Sequence, residues 1–96
     1  MTMQGQIAVV TGAGSGIGRA TAEALAAAGA TVVCADINRE TGEEAAGALS
    51  ATGARAEFLA VDLTDAASVE SFAQAVTAKF GAVDILVNGA GWGKTH

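Results

Sequence analysis

The stretch 11-TGAGSGIG-18 follows the short apolar run 7-IAVV-10 and contains four glycines within eight residues. A glycine-rich turn between a strand and a helix lets the backbone approach a bulky anion, and the helix N-terminus directs free N–H groups toward it. We therefore expect a strand, a phosphate-binding turn and a helix here. Such a turn is a weak signal alone, because many glycine-rich turns bind nothing.

Similar apolar runs recur along the rest of the chain, at 31-TVVCA-35, 58-FLAV-61 and 83-VDILV-87. Nearly continuous apolar runs are typical of strands that are buried on both faces of a parallel sheet. Helical patterns separate the runs. The alternation of strand and helix predicts an α/β fold with a Rossmann-type, doubly wound parallel sheet in the strand order 3-2-1-4.

Three segments between the apolar runs have helical patterns: residues 16–28, 39–52 and 65–80. Asn38 is placed to cap the second helix, and Thr64 or Asp65 is placed to cap the third. Gly29 and Gly81 stand where the first and the third helices should end. The sequence therefore predicts both ends of the third helix and one end of each of the others.

Apolar spacing predicts which face of each helix packs on the sheet. For the first helix it predicts a face of small and apolar residues: Ile17, Ala20, Ala24 and Ala28. For the third helix it predicts the following face: Val69, Phe72, Ala73, Val76 and Phe80. The second helix offers Ala45, Ala46 and Leu49, but Gly42 and Gly47 each cost about 1 kcal/mol relative to Ala in a helix interior.

The composition excludes several classes of function. The chain has 96 residues, a net charge of -5 and only five Lys and Arg, which argues against a nucleic-acid surface. No apolar run approaches the ~18 residues of a membrane span, and 1-MTMQGQ-6 lacks the pattern of a secretory leader. The single cysteine, Cys34, lies in an apolar run and is interpreted as core. We expect a cytoplasmic protein without a membrane or nucleic-acid partner.

Asp36 ends the second predicted strand about 20 residues after the glycine turn, where an acid can accept hydrogen bonds from both hydroxyls of an adenosine ribose. The alternative is that Asp36 is simply a polar strand end beside the Asn38 cap. The glycine spacing does not fit the common dinucleotide fingerprint G-x-G-x-x-G, because Ile17 stands where the third glycine is expected. The spacing is instead G-x-x-x-G-x-G.

With this spacing, 11-TGAGSGIG-18 resembles the glycine motif of the short-chain dehydrogenases/reductases. The resemblance continues through Asp36, 62-DL-63 and 84-DILVNGAG-91. It implies an oxidoreductase that moves a hydride between a nicotinamide cofactor and a small alcohol or carbonyl substrate. It also implies a homo-oligomeric protein.

The resemblance implies roles for particular residues. Asp62 would bond the adenine amino group and Leu63 would lie beside the ring, whereas Asn88 is as readily a tie between strands as a ligand contact. Gly89 departs from the family's N-N-A-G pattern, so any side-chain hydrogen bond at this position is lost. The expected cofactor-binding set is as follows: Gly12, Gly14, Ser15, Gly16, Ile17, Gly18, Asp36, Ile37, Asp62, Leu63, Asn88, Gly89, Ala90 and Gly91.

Catalytic residues cannot be assigned in this chain. The family uses a Ser together with a Tyr and a Lys in a Y-x-x-x-K arrangement, but this chain has no Tyr and its only lysines are Lys79 and Lys94. A complete domain of this kind has about 250 residues. We therefore expect residues 1–96 to be the N-terminal part of one NAD-binding domain and to be inactive alone, with the fourth strand left as an unpaired apolar edge that favours self-association.

The preference for NAD over NADP follows from charge. An ionised Asp36 would repel the 2'-phosphate of NADP. Position 15, where NADP-using relatives often have Arg, is Ser15, and the residue after Asp36 is Ile37. Arg39 is the only nearby cation, and from the start of the second helix it can turn toward the cleft or into solvent.

Two alternatives remain beside the dehydrogenase hypothesis. One is a nucleotide-binding or interaction module without catalysis. The other is a triphosphate-binding loop, because 88-NGAGWGKT-95 nearly matches G-x-x-x-x-G-K-[ST]. Such a loop should lead into a helix, and only His96 follows Thr95. We expect no metal site, since a lone terminal His is usually solvated.

Overall fold

The computed structural model describes residues 2–14 and 16–89. Strands and helices alternate along this part of the chain in the following order: β1 (Ile7–Thr11), α1 (Gly16–Ala27), β2 (Thr31–Asp36), α2 (Arg39–Ala51), β3 (Ala56–Ala60), α3 (Ala66–Phe80) and β4 (Ile85–Asn88). The four strands form one sheet in the order β3-β2-β1-β4, and every pairing is parallel. The predicted fold class and strand order are confirmed.

The sheet is covered on both faces, which explains the nearly continuous apolar runs in its two central strands. Neighbouring residues of one strand point to opposite faces. Val10 packs with the helices α1 and α2, whereas Val9 packs with α3. Cys34 lies in the first of these two clusters, and burial raises the pKa of its thiol to about 11. The interpretation of Cys34 as core is confirmed.

Two helices begin at the predicted caps. The side chain of Asn38 accepts a hydrogen bond from the N–H of Thr41 at 3.2 Å, which caps α2. At the start of α3, Asp65 is the capping residue, and it accepts from the N–H of Ala67 at 3.0 Å. The choice between Thr64 and Asp65 is thereby decided.

The predicted packing face of α1 is wrong. The buried residues of this helix are Gly18, Ala22 and Ala26, whereas Ile17 is 57% exposed. The reason lies in the first turn, where Gly18 packs against the backbone of Gly12 and so rotates the helix. The predicted face of α2 is confirmed, because Ala45, Ala46 and Leu49 are buried. The predicted face of α3 is confirmed only in part: Val76 is buried and Phe72 and Phe80 pack on the core, but Val69 and Ala73 are exposed.

The third strand begins earlier than predicted. It pairs with β2 from Val32 opposite Ala56 to Asp36 opposite Ala60, so it includes the charged residue Glu57. An edge strand tolerates this charge, because the carboxylate of Glu57 forms an ion pair with Lys79 at 2.7 Å. The apolar run alone could not reveal that partner.

The fourth strand begins later than predicted. Asp84 occupies the position before it, where its carboxylate accepts the N–H of Ile7 at 2.8 Å and its own N–H donates to the Ile7 carbonyl at 2.9 Å. A side chain thus replaces one bond of the β1–β4 ladder. Regular pairing starts at Ile85, opposite Ala8.

Within residues 2–14 and 16–89, no helix is both long enough and apolar enough to cross a membrane.

Candidate functional site

A cleft of about 390 Å³ lies at the carboxyl ends of the parallel strands. Eight residues line it: Thr11, Gly12, Asp36, Ile37, Val61, Leu63, Thr64 and Asn88. Ligands of open α/β sheets bind at this edge, where the strand order reverses. The reversal here lies at β1, which stands between β2 and β4. The topology therefore places the cleft where a ligand is expected.

A larger groove of about 1000 Å³ lies near the ends of α1 and α2, and Gly29, Ala30 and Thr31 are among its lining residues. These residues precede or begin β2, so the groove lies at the amino ends of the strands. None of the eleven described residues of the predicted cofactor set lines this groove. We therefore take the smaller cleft as the candidate site.

The glycine turn connects β1 to α1 beside the cleft. Gly12 and Gly16 have φ values of 67° and 62°, which side chains rarely allow. Gly18 is buried against Gly12, so the first turn of α1 sits directly on the end of β1. This arrangement leaves the first N–H groups of α1 beside the turn, where they can bind an anion. Ser15 lies outside the described residues.

The carboxylate of Asp36 links the glycine turn to the start of α2. Its Oδ2 accepts the backbone N–H of Gly14 at 2.9 Å, and its Oδ1 accepts the N–H of Asn38 at 3.0 Å. Each carboxylate oxygen has two lone pairs, so both oxygens can accept a further hydrogen bond. The two backbone donors fix the orientation of the carboxylate at the edge of the cleft.

Asp62 follows β3 and forms a tight local turn with Thr64. Its Oδ1 accepts the hydroxyl of Thr64 at 2.6 Å and the backbone N–H of Thr64 at 3.0 Å. These bonds hold the pKa of the Asp62 carboxyl below its ordinary value. The next residue, Leu63, is 44% exposed and lines the cleft together with Ile37, which is 69% exposed. Two apolar side chains therefore remain open to solvent in the cleft.

We expect Thr64→Val to raise the pKa of Asp62 toward its ordinary value, because the hydroxyl donor is lost while the backbone donor remains. The pKa of Asp62 is lower in the folded state than in the unfolded state. The contribution of the ionised carboxylate to folding stability is therefore complete above the unfolded-state pKa, and it is lost as the pH falls through the folded-state pKa. Carboxyl NMR titration measures the change. Ser68→Ala is the control, because Ser68 accepts only the backbone N–H of Asp62. An unchanged pKa in Thr64→Val would contradict this account.

Asn88 and Gly89 tie the end of β4 to β1. The hydroxyl of Thr11 donates to Oδ1 of Asn88 at 2.8 Å, and the N–H of Gly89 donates to the Thr11 carbonyl at 3.0 Å. A β-carbon on Gly89 would lie 2.8 Å from that carbonyl oxygen and 2.9 Å from Cα of Gly18. Gly89 departs from the family pattern, and the close approach of the chain to Thr11 and Gly18 leaves little room for a side chain at this position.

Five of the eleven predicted site residues that the structure describes line the cleft: Gly12, Asp36, Ile37, Leu63 and Asn88. Gly14, Gly16, Ile17 and Gly18 belong to the glycine turn or to the first turn of α1, whereas Asp62 does not line the cleft. Ala90 and Gly91 lie outside the described residues, as do Lys94, Thr95 and His96 of the alternative hypotheses.

Sequence reasoning did not assign Thr11, Val61 or Thr64 to the site, although all three line the cleft. The spacing of Asp62 and Thr64 is typical of a side-chain turn and could have indicated Thr64. Val61 had no comparable signal, because its apolar character predicted only a strand.

Among the described residues, no group of three or more His, Cys, Asp or Glu is arranged to hold a metal ion. The cleft offers the carboxylate of Asp36 and apolar side chains, and the first N–H groups of α1 lie beside it. These groups suit a ligand with hydroxyls, phosphates and a flat apolar ring.

Comparisons with known proteins agree with this geometry. The family model described as short chain dehydrogenase matches residues 6–96. The chain is 50% identical over 90 residues to the short chain dehydrogenase/reductase astE of Aspergillus oryzae, and the match covers 93% of this chain and 34% of that protein. It is 51% identical over 92 residues to the 3-oxoacyl-acyl-carrier-protein reductase FabG of Escherichia coli, covering 95% of this chain and 36% of that protein.

A similar solved structure is that of a metagenomic short-chain oxidoreductase in complex with NADP. The TM-score is 0.85 and the sequence identity is 38%, with 90% of this chain and 39% of the other covered. The chain spans about a third of the length of the curated relatives described above, at 34% and 36%.

Proposed function

Because the chain belongs to the short-chain dehydrogenase/reductase family, we propose that residues 1–96 form the N-terminal, dinucleotide-binding part of an oxidoreductase. The reaction is the transfer of a hydride between a nicotinamide and a small alcohol or carbonyl compound. The observation that carries this proposal is the carboxylate of Asp36, held by Gly14 and Asn38 at the edge of a cleft beside a helix N-terminus.

The proposed ligand orientation follows from the chemistry of each part of the cleft. The pyrophosphate lies on the glycine turn and the first N–H groups of α1. The adenosine ribose donates its hydroxyls to Asp36. The adenine ring lies between the exposed side chains of Ile37 and Leu63, with its amino group toward Asp62. Burial of these two side chains against the ring would add affinity without charge.

We propose NAD as the cofactor in preference to NADP. A 2'-phosphate placed ~4 Å from the Asp36 carboxylate would be repelled by about 4 kcal/mol at an effective dielectric constant near 20. Water and salt in an open cleft reduce this repulsion. A residual of about 1 to 3 kcal/mol still corresponds to a roughly five- to 150-fold preference for the unphosphorylated ribose. Because a similar short-chain oxidoreductase was solved in complex with NADP, the preference for NAD over NADP is tested directly below.

Asp36→Ser is expected to remove this preference. The chain should bind NAD more tightly than NADP, and the substitution should shift the ratio of the two dissociation constants toward NADP by about tenfold or more. Calorimetric titration with each dinucleotide measures the ratio. Glu70→Ser is the control, because it removes a carboxylate from the exposed part of α3. A wild-type preference for NADP, or an unchanged ratio in Asp36→Ser, would refute the role of Asp36.

The remaining parts of the proposal concern the protein as a whole. We propose a homo-oligomer that acts in the cytoplasm on a small-molecule substrate. The catalytic Tyr and Lys of the family have no counterpart in this chain, which contains no Tyr. We therefore assign the chain a binding role and no catalytic residue.

A further inference from the structure

Arg39 is the cation nearest in sequence to Asp36, but it does not line the cleft. It is the first residue of α2, three positions after Asp36. Its Nη1 lies 3.0 Å from Oε2 of Glu43, and its guanidinium carbon lies 5.3 Å from the ring centroid of Phe58. Two different side chains thus hold one guanidinium on the flank of α2.

The ring of Phe58 packs on α2. Phe58 lies in β3 opposite Cys34, and its ring packs against Gly42. A β-carbon on Gly42 would overlap this ring, so no larger residue fits there without moving Phe58. Gly42 weakens α2, but its lack of a side chain makes room for the ring of Phe58. The ring can therefore lie where it contacts Arg39.

Arg19, the arginine of the neighbouring helix α1, is also paired with glutamates. Arg19 of α1 lies 3.6 Å from Glu23 and 3.7 Å from Glu44 of α2. The residues that line the described cleft include Asp36 but no Lys or Arg. The arginines of α1 and α2 are thus both paired with glutamates.

We infer that Glu43 and Phe58 are specificity-determining residues for the cofactor, because they hold Arg39 away from the ribose end of the cleft. This inference rests on the proposed function. A free Arg39 at the start of α2 would stand beside the proposed ribose position, and a guanidinium binds a phosphate group by two parallel hydrogen bonds. Glu43 and Phe58 act through Arg39 and are positioning residues. With Arg39 held by them, Asp36 is the one charged side chain among the described residues that line the cleft.

The test measures NAD and NADP affinities of matched variants of the chain by calorimetry. Glu43→Gln should raise the NADP affinity by about two- to fivefold, since an exposed ion pair is worth little, and should leave the NAD affinity unchanged. The double variant Glu43→Gln, Phe58→Leu should raise it by about tenfold. Glu40→Gln is the control, because Glu40 lies on the same helix and forms none of the ion pairs among the described residues.

A further comparison, in an Arg39→Ala background, distinguishes an effect that acts through the guanidinium of Arg39 from a general effect of removing a negative charge. In an Arg39→Ala background, Glu43→Gln should change the NADP affinity no more than Glu40→Gln does. NMR of the Arg39 Nε–H group provides a second readout, which should show faster averaging in Glu43→Gln than in Glu40→Gln. An equal effect of the two Glu substitutions on NADP affinity when Arg39 is present, or a larger effect of Glu43→Gln than of Glu40→Gln in the Arg39→Ala background, would overturn the inference.

The same titrations distinguish this inference from the proposed function. If the wild-type chain binds neither dinucleotide, or if Asp36→Ser leaves their ratio unchanged, the proposed function fails and the inference falls with it. If the wild-type chain prefers NAD and Asp36→Ser shifts the ratio, but Glu43→Gln behaves like Glu40→Gln, only the role of Glu43 and Phe58 is refuted.

Discussion

Gly18→Ala is expected to leave the chain unfolded in buffer at neutral pH. A β-carbon at this position would overlap the carbonyl oxygen of Gly12, and it would lie 2.7 Å from the carbonyl carbon of Gly12 and 3.2 Å from the carbonyl oxygen of Thr11. All three are backbone atoms, so no side-chain rotation relieves the overlap and α1 must move away from β1. We expect a loss of about 3 kcal/mol or more in the free energy of unfolding, a large part of the stability of so small a chain.

Gly47→Ala is the matched control for this prediction. It adds the same methyl group to a helix, but no atom beyond its chain neighbours and the nearby backbone of α2 lies within 4 Å of the added carbon. It should stabilise the chain by up to about 1 kcal/mol through helix propensity. Urea titration followed by far-UV circular dichroism compares both variants with the wild-type chain. A Gly18→Ala variant with the wild-type midpoint would show that the close contact of α1 with β1 is wrong.

The sequence predicted the order of the elements because each strand is a run of apolar residues and each helix has a recognisable cap or stop. It failed where one close contact overrides periodicity. The spacing of alanines in α1 favoured a face that includes Ile17, but the contact of Gly18 with Gly12 buries Ala22 and Ala26 instead. Periodicity depends on the positions of apolar residues, whereas the orientation of α1 depends on Gly18, which has no side chain and can therefore contact Gly12.

The candidate site was predictable in its parts and less so in its connections. Motif spacing indicated Asp36 as a ribose ligand, but it gave no sign that the same carboxylate accepts hydrogen bonds from Gly14 and Asn38. Whether Arg39 turns toward the cleft could not be decided from its position on the helix. That depended on Phe58, which is distant in sequence and approaches only across the β2–β3 pair.

An apolar groove of about 340 Å³ lies between α3 and β4, on the face opposite α1 and α2. Its lining includes exposed apolar side chains: Leu63, Val69, Val83 and Leu86. Leu86 is 69% exposed, and β4 pairs with no strand on its outer side within the part of the chain that the structure describes. An unpaired apolar edge is a template for another chain. We therefore expect the 96-residue chain to self-associate through β4.

Leu86→Lys is expected to weaken this self-association by about a hundredfold or more. In a symmetric pair each copy buries one Leu86, and full burial of a leucine side chain contributes about 1.5 to 3 kcal/mol, so the two copies together account for this factor. A lysine on an edge strand also opposes pairing with a second strand. Ala20→Lys is the control, because it adds the same charge to the exposed face of α1. Sedimentation velocity over a dilution series measures the dissociation constants, with circular dichroism to compare the folds. A wild-type chain that stays monomeric at every concentration, or a Leu86→Lys chain that associates like Ala20→Lys, would refute the role of this edge.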